Sequence, residues 1–295
     1  MPSTRDIRRR IKSVKNTAQI TKAMQMVAAS KMRKAQMAAL AGRPYANLMN
    51  EVLSELVSAS KDFSHPLVEK RDVKKRCVIV VSTDKGLCGG LNSSLMREAT
   101  KFAPDTVFIT AGRKASQFIA RTKRSLIAEF TYKDVPSFAE ARAISKFAQD
   151  IYLKGDVDQV DILFTNFVST LVQKPEIRQL LPISEIKPVK AGIGADAGQP
   201  AAPQASQSSV GEFVFEPDQE QVLGALLPHS LNFQVYQILL ESKASEHSAR
   251  MVAMKNATDN AKQFIKDLTL EYNKLRQANI TKELLEISSA AMAMG

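Results

Sequence analysis

His229–Met294 reads HSLNFQVYQILLESKASEHSARMVAMKNATDNAKQFIKDLTLEYNKLRQANITKELLEISSAAMAM, 66 residues without one glycine or proline. The chain holds 24 such residues in 295, so about five would fall here by chance. Their absence predicts one unbroken helix of roughly 100 Å at ~1.5 Å per residue. A start near Asp218, after Pro217, adds a turn or two, and Pro228 is expected to kink the helix early. Helices of this length do not stand alone in water, so a partner is required.

The other end of the chain supplies one. Ser3–Ala41 also lacks glycine and proline, and Ser3 or Thr4 can cap its start. Small or apolar residues recur at Ile7, Ile11, Val14, Ala18, Thr21, Met24, Ala28, Met32, Ala35 and Ala39. Steps of three or four make a stripe near the heptad period. Gly42 and Pro44 interrupt it, and Leu48, Val52, Leu53, Leu56 and Val57 carry a helical pattern on to about Ser58. Two long helices at opposite ends of one chain predict an antiparallel coiled coil. Its seam is poor. Val235, Leu239, Ala249 and Val252 give an apolar edge that then meets Asn256, Asp259 and Asn260 before Phe264, Leu268, Leu275, Leu284 and Ile287. Other chains are expected to supply the missing packing.

The middle is different. Cys77–Ser82, Thr106–Thr110, Leu126–Tyr132 and Val160–Val168 read as strands, and Ile177–Leu181 as an edge strand. Between them Asn92–Phe102, Arg113–Arg121 and Ser137–Leu153 read as helices. This alternation predicts a mostly parallel sheet. The fold class is α/β plus long helices: an antiparallel two-helix coiled coil with an inserted Rossmann-like α/β domain. The expected divisions are 1–58 for the first shaft helix, 74–187 for the α/β domain, 188–211 for a Pro/Ala/Gln-rich flexible loop, and 212–295 for the second shaft helix.

Composition narrows the function. The apolar fraction of 44% suits a folded chain, while 6% aromatics and no Trp leave little for a large compact core. Residues 1–40 hold ten basic side chains and one acid, which is most of the net charge of +11. Such a block suits an acidic protein, a nucleic acid or an anionic membrane. No run of 18 apolar residues is present, and the N-terminus lacks the apolar core of a secretory signal. Cys77 and Cys88 form no CxxC pair, and His65, His229 and His247 are scattered, so no metal site is expected.

Candidate chemistry is sparse. Thr83-Asp84-Lys85-Gly86-Leu87-Cys88-Gly89-Gly90-Leu91-Asn92 lies between a strand and a helix, where α/β folds bind phosphates. It has neither GxGxxG nor a GK[ST] ending, and its glycines suit a tight turn better than a nucleotide. Cys88 reads as a structural thiol, and Asp156, Asp158 and Asp161 as a strand approach. Lys31, Arg33 and Lys34 place three cations within four residues of helix, suited to an acidic loop on a partner. A DNA-reading helix would look similar, but no reading module accompanies it, so no nucleic-acid partner is expected. Ile287–Gly295 carries no charged side chain and suits an apolar socket.

Four stretches resemble a known family. ITKAMQMVAASKMRK (Ile20–Lys34), VSTDKGLCGGLN (Val81–Asn92), ARMVAMKNATDNA (Ala249–Ala261) and YNKLRQANITKELLE (Tyr272–Glu286) are similar, in order, to the gamma subunit of F-type ATP synthases. The resemblance implies a non-catalytic central rotor shaft with no cofactor. It would stand inside an alpha3beta3 hexamer, with the epsilon subunit and the membrane c ring at its base, turned by proton or sodium ion flow. The implied place is the cytoplasmic face of a bacterial inner membrane, peripheral and through the complex only. Carried over by position, Met24 and Lys31, Met32, Arg33 and Lys34 face a beta lever loop. Arg276, Gln277, Thr281 and Glu283 contact beta catch loops, and Phe213 and Glu216 rest on the c ring. Ile287, Ala290, Ala291 and Met292 form the bearing tip. The family usually has Gly-Ala at Ala290-Ala291, where Ala favours helix by about 1 kcal/mol. Two readings compete with the shaft: a nucleic-acid-binding coiled coil, and a nucleotide-dependent α/β enzyme using Thr83–Asn92.

Overall fold

The computed structural model describes residues 3–59, 65–69, 71–183 and 219–294. In order, the elements are α1 (Thr4–Ala41), α2 (Arg43–Ala59), β1 (Arg76–Val81), α3 (Leu91–Thr100), β2 (Val107–Ala111), α4 (Arg113–Arg121), β3 (Leu126–Phe130), α5 (Phe138–Leu153), β4 (Gln159–Phe167), β5 (Gln173–Leu181) and α6 (Gln219–Met294). The fold is the expected one: long helices at both ends and a mostly parallel α/β sheet between them. They form two units, one of residues 1–28 with 250–295 and one of residues 29–249. The expected loop 188–211 lies outside the described residues.

In the first unit α1 starts with a reciprocal cap. Ser3 Oγ accepts from the Asp6 amide at 3.2 Å, and the Ser3 amide donates to the Asp6 carboxylate at 3.3 Å. The hydrogen bonds from Ser3 hold the Asp6 carboxyl below its ordinary range. The striped residues Ile7, Ile11, Val14, Ala18, Thr21, Met24 and Ala28 are all buried or half-buried, as the periodicity demands. Opposite them, Met254, Thr258, Ala261, Ile265, Leu268, Tyr272 and Leu275 of α6 are buried or half-buried, in steps alternating between four and three. Thr21 and Thr258 share a hydroxyl hydrogen bond of 2.7 Å across the seam.

This corrects the expected seam. Asn256, Asp259 and Asn260 are exposed, and Phe264 is 52% exposed. Ile265, one residue on from Phe264, is half-buried and keeps the heptad period. Leu284 and Ile287 are also exposed, because pairing with α1 stops near Leu275: every residue from Arg276 to Ala290 is exposed.

In the second unit the sheet order is β3-β2-β1-β4-β5, parallel except for β5. Both faces of β1 are covered, so all of Cys77–Val81 is buried, the unbroken apolar run expected of a central parallel strand. One face packs on α2, α5 and the first turns of α6 through Leu53, Tyr152, Leu223, Leu231 and Ile238. The other packs on α3 and α4 through Leu95, Ala99, Ala115 and Ile119. A capping box at Ser137 and Glu140 starts α5. Strand β3 ends two residues before the expected limit, and β5 begins four residues earlier than expected. The second half of α1 lies on α6, where Ala35 and Ala39 meet Leu240 and Ala244. Small side chains permit that close approach. Pro228 lies inside α6, and the helix runs through it.

Candidate functional site

An α/β sheet of this order has its ligand crevice at the carboxyl ends of β1 and β4, where the winding reverses. The loop after β1 lies there. Several of its polar groups are spent on the fold. Asn92 Nδ2 donates to Thr83 Oγ1 at 2.8 Å and to Cys88 Sγ at 3.3 Å. The first amides of α4 are also taken: Arg113 donates to Asp84 Oδ1 at 3.1 Å, Lys114 to the Thr83 carbonyl at 3.1 Å and Ala115 to Ser82 Oγ at 2.8 Å. A phosphate at the start of α4 would need those donors, and the Asp84 carboxylate already accepts one of them. Gly112, at φ +109°, lies so close to Ser82 that a β-carbon would overlap the Ser82 carbonyl oxygen.

The same crevice is filled by the chain's own helix. Glu241–Ser248 of α6 is buried at all eight positions. Ser245 Oγ donates to the Thr165 carbonyl near the end of β4 at 3.0 Å, and Ser248 Oγ to the Thr170 carbonyl in the turn after it at 2.8 Å. The Lys243 ammonium lies over the Tyr132 ring at 4.5 Å and pairs with Glu246 at 3.0 Å. Tyr132, just past β3, donates its hydroxyl to the Ser82 carbonyl at the end of β1, and burial pushes its phenol far above the ordinary value. Sequence reasoning missed this network. Its signal was a two-turn run of small and charged residues directly after the apolar run Ile238–Leu240.

Cys77 belongs to the core, and Cys88 to the loop after β1. Cys77 and Cys88 are both buried, and neither is in a disulfide. Burial, and then the Asp161 charge, pushes the Cys77 thiol up to about 12. Asp158 accepts the Lys74 and Lys75 amides at 2.9 and 2.8 Å, fastening the entry to β1. Asp161 pairs with Arg76 at 3.3 Å.

The residues singled out in the sequence fall in both units. Lys31 forms an ion pair with Asp134, and that hydrogen bond holds the Asp134 carboxyl below its ordinary range. Met32 is buried and Met24 half-buried on the inward stripe, while Arg33 and Lys34 are exposed. Within the first unit Arg276, Gln277, Thr281 and Glu283 are all exposed along the unpaired end of α6. Gln277 and Thr281 are one turn apart, with the Thr281 hydroxyl on the Gln277 carbonyl at 3.0 Å. Ile287 is 68% and Met292 83% exposed, and Ala290 is exposed. Phe213, Glu216 and the side chain of Ala291 lie outside the described residues. No described helix is long and apolar enough to cross a membrane.

A family model described as ATP synthase matches residues 3–294. The chain is 50% identical over 297 residues to the ATP synthase gamma chain of Opitutus terrae, covering 99% of each. It is 48% identical over 301 residues to that of Methylacidiphilum infernorum, covering all of both. Among solved structures it is similar to a chain of the Euglena gracilis mitochondrial ATP synthase, with a TM-score of 0.69, 20% identity and coverage of 99% of this chain and 94% of that one. It is also similar to a chain in the central stalk and c-ring structure of the Tetrahymena thermophila mitochondrial ATP synthase. There the TM-score is 0.58 and identity 26%, over 81% of this chain and 99% of that one.

Proposed function

The chain belongs to the ATP synthase gamma chain family, the central stalk of F-type ATP synthases, and on that premise we propose that it is a non-catalytic rotor shaft. Proton or sodium ion flow through a membrane c ring turns it, and it carries that rotation to the catalytic beta subunits of an alpha3beta3 hexamer. The complex sits on the cytoplasmic face of a bacterial inner membrane, and this chain reaches the membrane only through its partners, among them an epsilon subunit.

One observation carries the reading. From Arg276 to Ala290 the helix has no intramolecular cover, yet it presents Ile280, Leu284, Leu285 and Ile287 at 45–68% exposure. A lone helix with bare apolar residues is unstable in water, so other chains must sheathe it. Arg276, Gln277, Thr281 and Glu283 then meet beta catch loops, and Ile287, Ala290, Ala291 and Met292 turn in an apolar bearing. Met24 and the Lys31–Lys34 cluster face the acidic lever loop of beta, and Phe213 and Glu216 stand on the c ring. The filled crevice supports the non-catalytic role, since α6 occupies the place where a nucleotide-using sheet holds its ligand.

The test is co-purification of a tagged copy at moderate salt. Alpha and beta subunits at three each per copy, with ATP-driven rotation of the tag, are expected. Recovery of the chain alone, or with nucleic acid, would overturn the shaft reading.

A further inference from the structure

On the face of the sheet away from α6, helices α3 and α4 run side by side and leave a cleft of about 830 Å³. Its floor is apolar, made by Met96 and Phe118, and its borders carry Arg97, Lys114 and Arg121. No acid lines it. Residues 91–124 hold seven Lys and Arg against two acids, Glu98 and Asp105. Glu98 is already paired with Lys101 at 2.7 Å. None of the three bordering cations has a carboxylate partner among the described residues.

The shape selects the ligand class. A helix about 10 Å across fills roughly 830 Å³ in about two turns, and a groove between two helices is the usual seat for a third. The first amides of α4 are closed to a phosphate or nucleotide, because they already donate to Ser82, Thr83 and Asp84. Along its length the cleft offers an apolar strip flanked by cations.

We propose that this cleft receives an acidic amphipathic helix of a partner protein. Its apolar residues, spaced three or four apart, lie on Met96 and Phe118, and its carboxylates sit between Arg97, Lys114 and Arg121.

The test places a photo-crosslinking amino acid at position 117, an exposed glutamine on the cleft wall, in the full chain in cells, and identifies the attached segment by mass spectrometry. One acidic segment with apolar residues at helical spacing is expected. Its yield should fall at least tenfold in an Arg97→Glu/Arg121→Glu background and persist with Lys123→Glu, which lies outside the cleft. Arg97 and Arg121 are exposed, so cooperative unfolding of the double variant should match the parent. An adduct with lipid or nucleic acid, an adduct insensitive to the double reversal, or none at all overturns the proposal.

Discussion

The ammonium of Lys243 lies 4.5 Å from the centre of the Tyr132 ring, and both residues are buried. One belongs to the terminal helix and the other to the segment after β3, so this contact ties α6 to the sheet. The cation is 3.0 Å from Glu246, and the Tyr132 hydroxyl reaches back to Ser82 at the end of β1. A buried ion pair adds little net stability over an apolar pair of the same shape, but breaking it from one side is costly.

Lys243→Ala should therefore destabilise the second unit by about 3–5 kcal/mol. Lys243→Met combined with Glu246→Leu should recover most of that loss. Urea unfolding followed by circular dichroism measures both. A Lys243→Ala midpoint indistinguishable from the parent would remove the pair from the account.

Gly112 is held at φ +109° against the Ser82 carbonyl. Gly112→Ala should cost at least about 1–2 kcal/mol from backbone strain alone, with the overlap added. A fall in melting temperature of several degrees is the expected readout. Gly86, where a β-carbon would meet open space, should tolerate alanine with little change.

The Cys77 thiol, raised to about 12 by burial and the Asp161 charge, holds roughly one part in ten thousand as thiolate at pH 8. Neither cysteine should react with an aromatic disulfide reagent in the folded chain at that pH, and both should react in denaturant. Fast labelling of the native protein would show that the sheet opens far more readily than its packing implies.

The Lys31 hydrogen bond lowers the Asp134 pKa from its ordinary value of 3.8. A depressed carboxyl contributes stability that is full above the unfolded value and lost as pH falls through the folded one. Lys31→Met should remove that contribution at neutral pH, leave stability below the folded value unchanged, and so flatten the acid limb below about pH 4. Both side chains are about half exposed, so the effect should stay under about 1 kcal/mol. An acid limb unchanged by the substitution would mean that the pair does not persist in solution.

Much of this was legible in one dimension. The stripe from Ile7 to Ala39 needs only the helical period, and all ten of its residues are buried or half-buried. Cys77–Ser82 reads as a strand from its β-formers, and the structure adds that Cys77–Val81 is central and covered on both faces. That other chains must cover part of α6 follows from its polar seam, but the seam reading carried Leu284 and Ile287 into the pairing, where the structure leaves them exposed.

Whatever depended on a partner residue was not legible. The residues Arg276, Gln277, Thr281 and Glu283 were chosen by resemblance, and the structure shows only that they are exposed. The cleft between α3 and α4 depends on how two helices lie side by side, which no local pattern records.

The sequence by itself determined which segments are helices and strands and which face of α1 turns inward, because those follow from periodicity and from the absence of breakers. The tertiary structure decided two things: that Ile265 rather than Phe264 enters the seam, and that Glu241–Ser248 fills the crevice of the sheet. Both depend on which atoms stand opposite. Burial is a property of a pair of surfaces, and a single chain read in order shows only one of them.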